Sequence, residues 1–158
     1  MNTNVLKTAV ATAAILIAGS FASATAQTVT GSIAKGKITR GIKARATVVL
    51  EIPHDLHVNS NRPGSEYAIP TTVKIAPVSG VKIGAVAYPR GINKRFAFAE
   101  KALNIYEGRV VFGFDVTVPA LYRGKSVKIN VTVRYQACTT EVCYPPKSKQ
   151  VILTANVL

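Results

Sequence analysis

Cys138 and Cys143 are the only cysteines in the 158-residue chain, and Thr139-Thr140-Glu141-Val142 separates them. A thiol pair at this spacing can form a disulfide that staples the loop, or exchange it with another protein. In each case the reacting species is the thiolate. The flanking sequence narrows the choice. Val127, Ile129, Val131, Val133 and Tyr135 alternate with Lys128, Asn130, Thr132, Arg134 and Gln136, which is the pattern of a strand with one apolar and one polar face. A second alternating run, Val151, Leu153, Ala155 and Val157, leaves the segment. The pair therefore sits at the tip of a hairpin. Residues facing each other across antiparallel strands have Cα atoms about 4.5–5.5 Å apart, close enough for a disulfide. As a staple such a bond contributes about 2 kcal/mol, because the loop it closes is short. Continued alternation places Cys138 on the polar side, as an accessible sulfur. Pro145 and Pro146 follow Cys143 and lack backbone donors, so strand pairing is interrupted there.

Other chemistry finds less support. His54 and His57 form an H-x-x-H, but on an extended segment residues three apart point to opposite faces, and no third ligand of the right kind is near. No metal and no cofactor are expected. Hydrolase and phosphate-loop motifs are missing. The chain is strongly basic, with 20 Lys+Arg against 7 Asp+Glu. The charges are spread over outward strand positions such as Lys43, Arg45, Lys74, Lys82, Lys128 and Arg134 and are not clustered with stacking aromatics, so no nucleic-acid partner is expected. A solvated basic surface favours acidic partners and anionic surfaces.

Residues 1–26 read as a bacterial secretory signal: Lys7 as the basic end, an apolar run from Thr8 to Ala18 too short to span a bilayer, and Ala24-Thr25-Ala26 as the cleavage site. The mature protein is expected to be periplasmic or secreted, without a membrane span, in a compartment where disulfides persist. Residues 27–41 read as a loose, polar N-terminal segment. Residues 42–158 form one domain in which almost everything alternates with period two. Strands are expected over Ala44–Ile52, around Val73 and Ile75, over Val81–Ala87, over Val110–Val118, over Lys125–Gln136 and over Val151–Val157. Turn residues such as Pro53, Pro63-Gly64, Gly80, Gly91, Gly108 and Gly124 punctuate them. The fold class is all-β, an immunoglobulin-like β-sandwich.

Tyr135-Gln136-Ala137-Cys138 followed by Cys143-Tyr144-Pro145-Pro146 resembles the redox hairpin of the family formed by the N-terminal periplasmic domain of the thiol:disulfide interchange protein DsbD. His57-Val58-Asn59-Ser60-Asn61-Arg62-Pro63, Ile69-Pro70-Thr71 and Ile105-Tyr106-Glu107-Gly108-Arg109 are also similar to members of that family. The resemblance runs from Ile42 to Val157. It implies the sandwich fold and a catalytic pair, Cys138 and Cys143, that cycles between dithiol and disulfide as a redox relay. Cys143 would form the mixed disulfide with a thioredoxin-like or DsbD-type membrane redox protein, and Cys138 would resolve it. A cap loop carrying Phe96 or Phe98 would shield the sulfurs. His57 and Asn59, where the family often has tyrosines, would neighbour the pair together with Tyr144 and Pro145.

The chain departs from the pattern in three ways. The cysteines are separated by four residues where the best-known members have five. The acidic cap residues are replaced by Lys94 and Arg95. The chain stops at Leu158, so the electron source is expected to be a separate protein. Two other readings stay open at this point: an exported adhesion or ligand-binding sandwich whose disulfide only braces a loop, and an accessory factor for cytochrome or metal-site maturation. The sequence does not fix the oligomeric state.

Overall fold

A computed structural model describes residues 26–158; the expected signal segment, residues 1–26, lies outside the described residues except for Ala26. The described chain is built from strands and one short 3-10 turn, Ala34–Gly36. Three four-stranded sheets form. The first has the order β1 (Thr28–Ile33), β3 (Lys43–Glu51), β9 (Arg109–Thr117), β6 (Lys82–Ile83). The second has the order β2 (Lys37–Ile38), β12 (Lys147–Val157), β10 (Ser126–Tyr135), β5 (Thr72–Ile75). The third is smaller, in the order β11 (Ala137–Cys138), β4 (His57–Asn59), β8 (Leu103–Tyr106), β7 (Ile92–Lys94).

The first two sheets make the sandwich. Period-two alternation decides which residues they bury between them. Ala46, Val48 and Leu50 of β3, Val110, Phe112, Phe114 and Val116 of β9, and Val127, Ile129, Val131, Val133 and Tyr135 of β10 are all buried in one apolar cluster with Leu153 and Ala155 of β12. The long strands agree with the expected ones, and the architecture is the immunoglobulin-like sandwich anticipated from the alternation.

Two expectations are corrected. Residues 27–41 are not a loose tail. All six residues of β1 pair antiparallel with β3, from Thr28↔Glu51 to Ile33↔Ala46, and β2 pairs parallel with the end of β12. Ile33 and Ile38 are fully buried and anchor the segment. Its polar composition is that of an edge strand, with one side facing solvent. Gly31 is required for the close approach: a Cβ there would lie 2.5 Å from the Thr47 carbonyl oxygen and 2.6 Å from Leu153 Cδ2. The second correction concerns Val81–Ala87, which is not one continuous strand. Ile83 pairs with Val116 and Ala87 bridges to Gly113, so one extra residue is accommodated between them as a bulge.

The third sheet exists because β10 does not continue straight into the cysteines. Tyr135 faces Lys147 at the last pair of the β10–β12 ladder. The chain then leaves that sheet, and β11 pairs with β4. This change of sheet carries Cys138 out of the sandwich alternation.

Candidate functional site

Cys138 and Cys143 are joined by a disulfide, with Cα atoms 4.0 Å apart. Local hydrogen bonding sets them opposite each other. Thr139 N–H donates to the Val142 carbonyl at 2.8 Å, and Tyr144 N–H donates to the Ala137 carbonyl at 2.8 Å. These bonds flank the cysteines, which therefore form a non-hydrogen-bonded antiparallel pair, the position where facing side chains come closest. The Thr139 hydroxyl accepts from the amides of Glu141 (3.2 Å) and Val142 (3.1 Å). That hydroxyl turn lets Thr140-Glu141 close the loop, so four residues between the cysteines are enough.

The two sulfurs have different surroundings. Cys138 is completely buried, whereas Cys143 is partly exposed. The expectation that Cys138 would lie on an accessible polar face is overturned. Alternation is a property of one sheet, and Cys138 belongs to a different sheet from β10. Beyond Cys143, Tyr144 is 45% exposed and Pro145 and Pro146 are exposed and outside any strand. Tyr144 still has its amide bonded and its carbonyl accepts from Gln136 Nε2 at 3.2 Å; the two prolines have no amide to offer.

His57 is the register partner of Cys138 in the β11–β4 ladder, so the two side chains share one face of that small sheet. It is buried, at 3% exposure, and is no surface-loop histidine. His54, by contrast, is exposed in the preceding turn beside Asp55. Among the described residues no group of three or more His, Cys, Asp or Glu could hold a metal ion. Asn59, also buried, donates through Nδ2 to the Ile69 carbonyl (3.1 Å) and to Gln136 Oε1 (3.3 Å). It thus ties β4 to the residue that enters the cysteine hairpin. Burial lowers the His57 pKa from its ordinary 6.5. Glu107 pulls it back up, and Lys94 adds to the lowering. The ring is held neutral more firmly than in solution. Among the described residues, buried His57 Nε2 and Asn59 Oδ1 find no hydrogen-bond partner, an arrangement that costs about 1–3 kcal/mol per group.

The β7–β8 connection supplies the aromatic residues. Phe96 folds back onto the His57 ring, with centroids 4.3 Å apart and planes 16° from parallel. It is 5% exposed and packs with Leu103 and Ile105 in a small apolar cluster separate from the main core. Phe98 stacks on Phe96 with ring centroids 5.2 Å apart and is 44% exposed. The two rings lie in a loop, not on an inward strand face. The Lys94 ammonium lies 5.9 Å from the Phe96 centroid and 2.7 Å from Glu107, which joins the beginning of the loop to the end of β8. The structure brings together Cys138, Cys143, His57, Asn59, Phe96 and Phe98 as one layered assembly. Gln136, part of the hairpin motif but given no role from the sequence, is the link between Asn59 and the Tyr144 backbone.

Among the described residues no helix is long and apolar enough to cross a membrane. The chain is similar to several solved structures. The DsbD N-terminal domain of Neisseria meningitidis in its reduced form is 19% identical, with 70% of this chain and 77% of that one covered and a TM-score of 0.47. The N-terminal periplasmic domain of ScsB from Proteus mirabilis is 12% identical with a TM-score of 0.51; the match covers 82% of this chain and 46% of that one. This chain therefore spans less than half the length of the ScsB structure, and the likeness is one of fold. No curated protein matches the sequence. The model of the family described as the N-terminal domain of the thiol:disulfide interchange protein DsbD matches residues 28–155, from the first strand to the last, and the chain belongs to that family.

Proposed function

We propose that the protein is a periplasmic thiol–disulfide interchange domain, in which Cys138 and Cys143 pass reducing equivalents between a donor and a client protein. The carrying observation is the asymmetry of the disulfide: one sulfur sealed, the other approachable beside an exposed Tyr-Pro-Pro segment. A bond that only braced a loop has no need of this difference. In the exchange, a partner thiolate attacks Cys143 Sγ in line. The Cys138–Cys143 bond breaks, Cys138 takes the electron pair as the leaving thiolate, and the partner is held on Cys143 as a mixed disulfide. The partner's second thiol then attacks its own bonded sulfur, leaving both cysteines of this domain reduced. Passing the electrons on reverses the steps: Cys143 attacks the client disulfide and Cys138 resolves the adduct.

Phe96 acts as the shield; what supports this is its stacking on the His57 ring, which faces Cys138, and its packing in a small apolar cluster. Phe98 is the outer, more exposed layer. The partner is a thioredoxin-like or DsbD-type membrane redox protein with an acidic surface around its cysteines, given the basic character of this chain. Export precedes all of this: a signal cleaved after Ala26 leaves a mature chain starting at Gln27, next to β1.

Single-cysteine trapping tests the reading. Cys138→Ala leaves Cys143 alone and is expected to accumulate mixed disulfides with a thioredoxin-like protein in periplasmic extracts; Cys143→Ala is expected to accumulate few. The reverse pattern would exchange the two roles. No adduct from either folded variant would remove the exchange function.

A further inference from the structure

We propose that His57 accepts the proton of Cys138 when Cys138 resolves a mixed disulfide on Cys143. The inference rests on the exchange reading above and adds to it a residue that handles the proton. To attack, Cys138 must become a thiolate, yet its sulfur is completely buried and does not touch bulk water. A base inside the site has to take the proton. His57 faces Cys138 across the β11–β4 ladder, is itself buried, and keeps a buried Nε2 with no hydrogen-bond partner among the described residues. Its ring is immobilised against Phe96, so the free nitrogen is held in one place. Burial also keeps the ring neutral, the state an acceptor requires.

The other charged and titratable groups on the surrounding elements are less suited. Lys94 on β7 and Glu107 just after β8 are bound to each other. Tyr106 on β8 donates its hydroxyl to Asn61 Oδ1 at 2.7 Å. Glu141 lies at the exposed hairpin tip, and Arg95, Arg134, Lys147 and Lys149 are exposed cations on the cap loop and on β10 and β12.

The step balances. The Cys138 S–H proton moves to His57 Nε2. The resulting thiolate attacks Cys143 Sγ, the Cys138–Cys143 bond forms, and the Cys143–partner bond breaks. The partner sulfur leaves with the electron pair, and the imidazolium returns its proton to that thiolate or to solvent.

The test uses 5,5′-dithiobis(2-nitrobenzoate) as the probe on the reduced, full-length mature protein. The first release of thionitrobenzoate reports adduct formation on Cys143, and the second reports resolution by Cys138. Rates of the second phase are compared between pH 5 and 9.5 for wild type, His57→Gln and His57→Phe. At pH 7 both variants are expected to resolve about 100-fold more slowly, with the difference closing towards pH 9.5 as Cys138 ionises unaided. Second-phase profiles that match wild type in both variants would overturn the role of His57 while leaving the exchange reading intact. A wild type with no second release at any pH would overturn the exchange reading itself. A measurement without variants covers the case in which they do not fold. The His57 ring, followed by NMR in wild type, is expected to titrate at different pH in the disulfide and dithiol forms; identical titrations would overturn the proposal.

Discussion

His57 stands directly opposite Cys138 in the pairing of β4 with β11, and its imidazole lies flat against Phe96 with the ring centroids 4.3 Å apart. The disulfide is thus backed by a histidine, and the histidine by a phenylalanine from a neighbouring loop. Each layer comes from a different part of the chain and meets the others only through the third sheet. Four consequences can be measured.

The disulfide contributes little to the stability of the sandwich. The main core of β3, β9, β10 and β12 is complete without it, and the loop it closes is short. The Cys138→Ala/Cys143→Ala double variant is expected to unfold cooperatively in denaturant, with a loss of about 2 kcal/mol. A variant unfolded at room temperature would make the bond structural.

Phe96 shields the pair more than Phe98 does. Phe96→Ala is expected to accelerate reduction of the disulfide by dithiothreitol and, as a buried ring in a small cluster, to cost about 3 kcal/mol. Phe98→Ala, removing a 44% exposed ring, is expected to have a smaller effect on both. Equal reduction rates in wild type and Phe96→Ala would remove the shielding role.

His57 makes stability depend on pH. Its folded pKa lies below the ordinary 6.5 because of burial. Between these two values the unfolded chain binds a proton that the folded chain does not, so protonation favours unfolding. Stability therefore falls as pH drops through about 6.5 and stops falling on this account below the folded pKa. Unfolding free energies measured between pH 7.5 and 5 should decline more in wild type than in His57→Gln. Parallel curves would mean that His57 is not desolvated.

Much of this fold can be read from the alternation of its long strands. Ala46 to Leu50, Val110 to Val116 and Val127 to Tyr135 each declare their buried face by period two. The site is less legible, because the sheet that builds it has strands too short to show a period. His57, Val58 and Asn59 of β4 are all buried, so they give no alternation to recognise. Alternation points Cys138 to the wrong face for a related reason: the chain changes sheets after Tyr135, and parity does not carry across that change. Phe96 and Phe98 have the same type and the same loop. Only the fold-back onto His57 separates them, and that contact joins residues far apart in sequence. The polar composition of edge strand β1 and of β2 hides them, although Ile33 and Ile38 mark their anchors. The cysteine hairpin itself was readable, since its spacing, its flanking strands and the following prolines are all local.

Whether the pair is a working couple is decided most directly by its reduction potential. Mature protein would be equilibrated in dithiothreitol or glutathione buffers of known potential, its thiols alkylated, and the two forms counted by mass spectrometry. A redox pair is expected to be half reduced at a potential less negative than about −300 mV, reversibly and with both forms folded. A pair that is still predominantly disulfide in buffers poised more negative than about −300 mV would be a structural bond, and the interchange function would be contradicted.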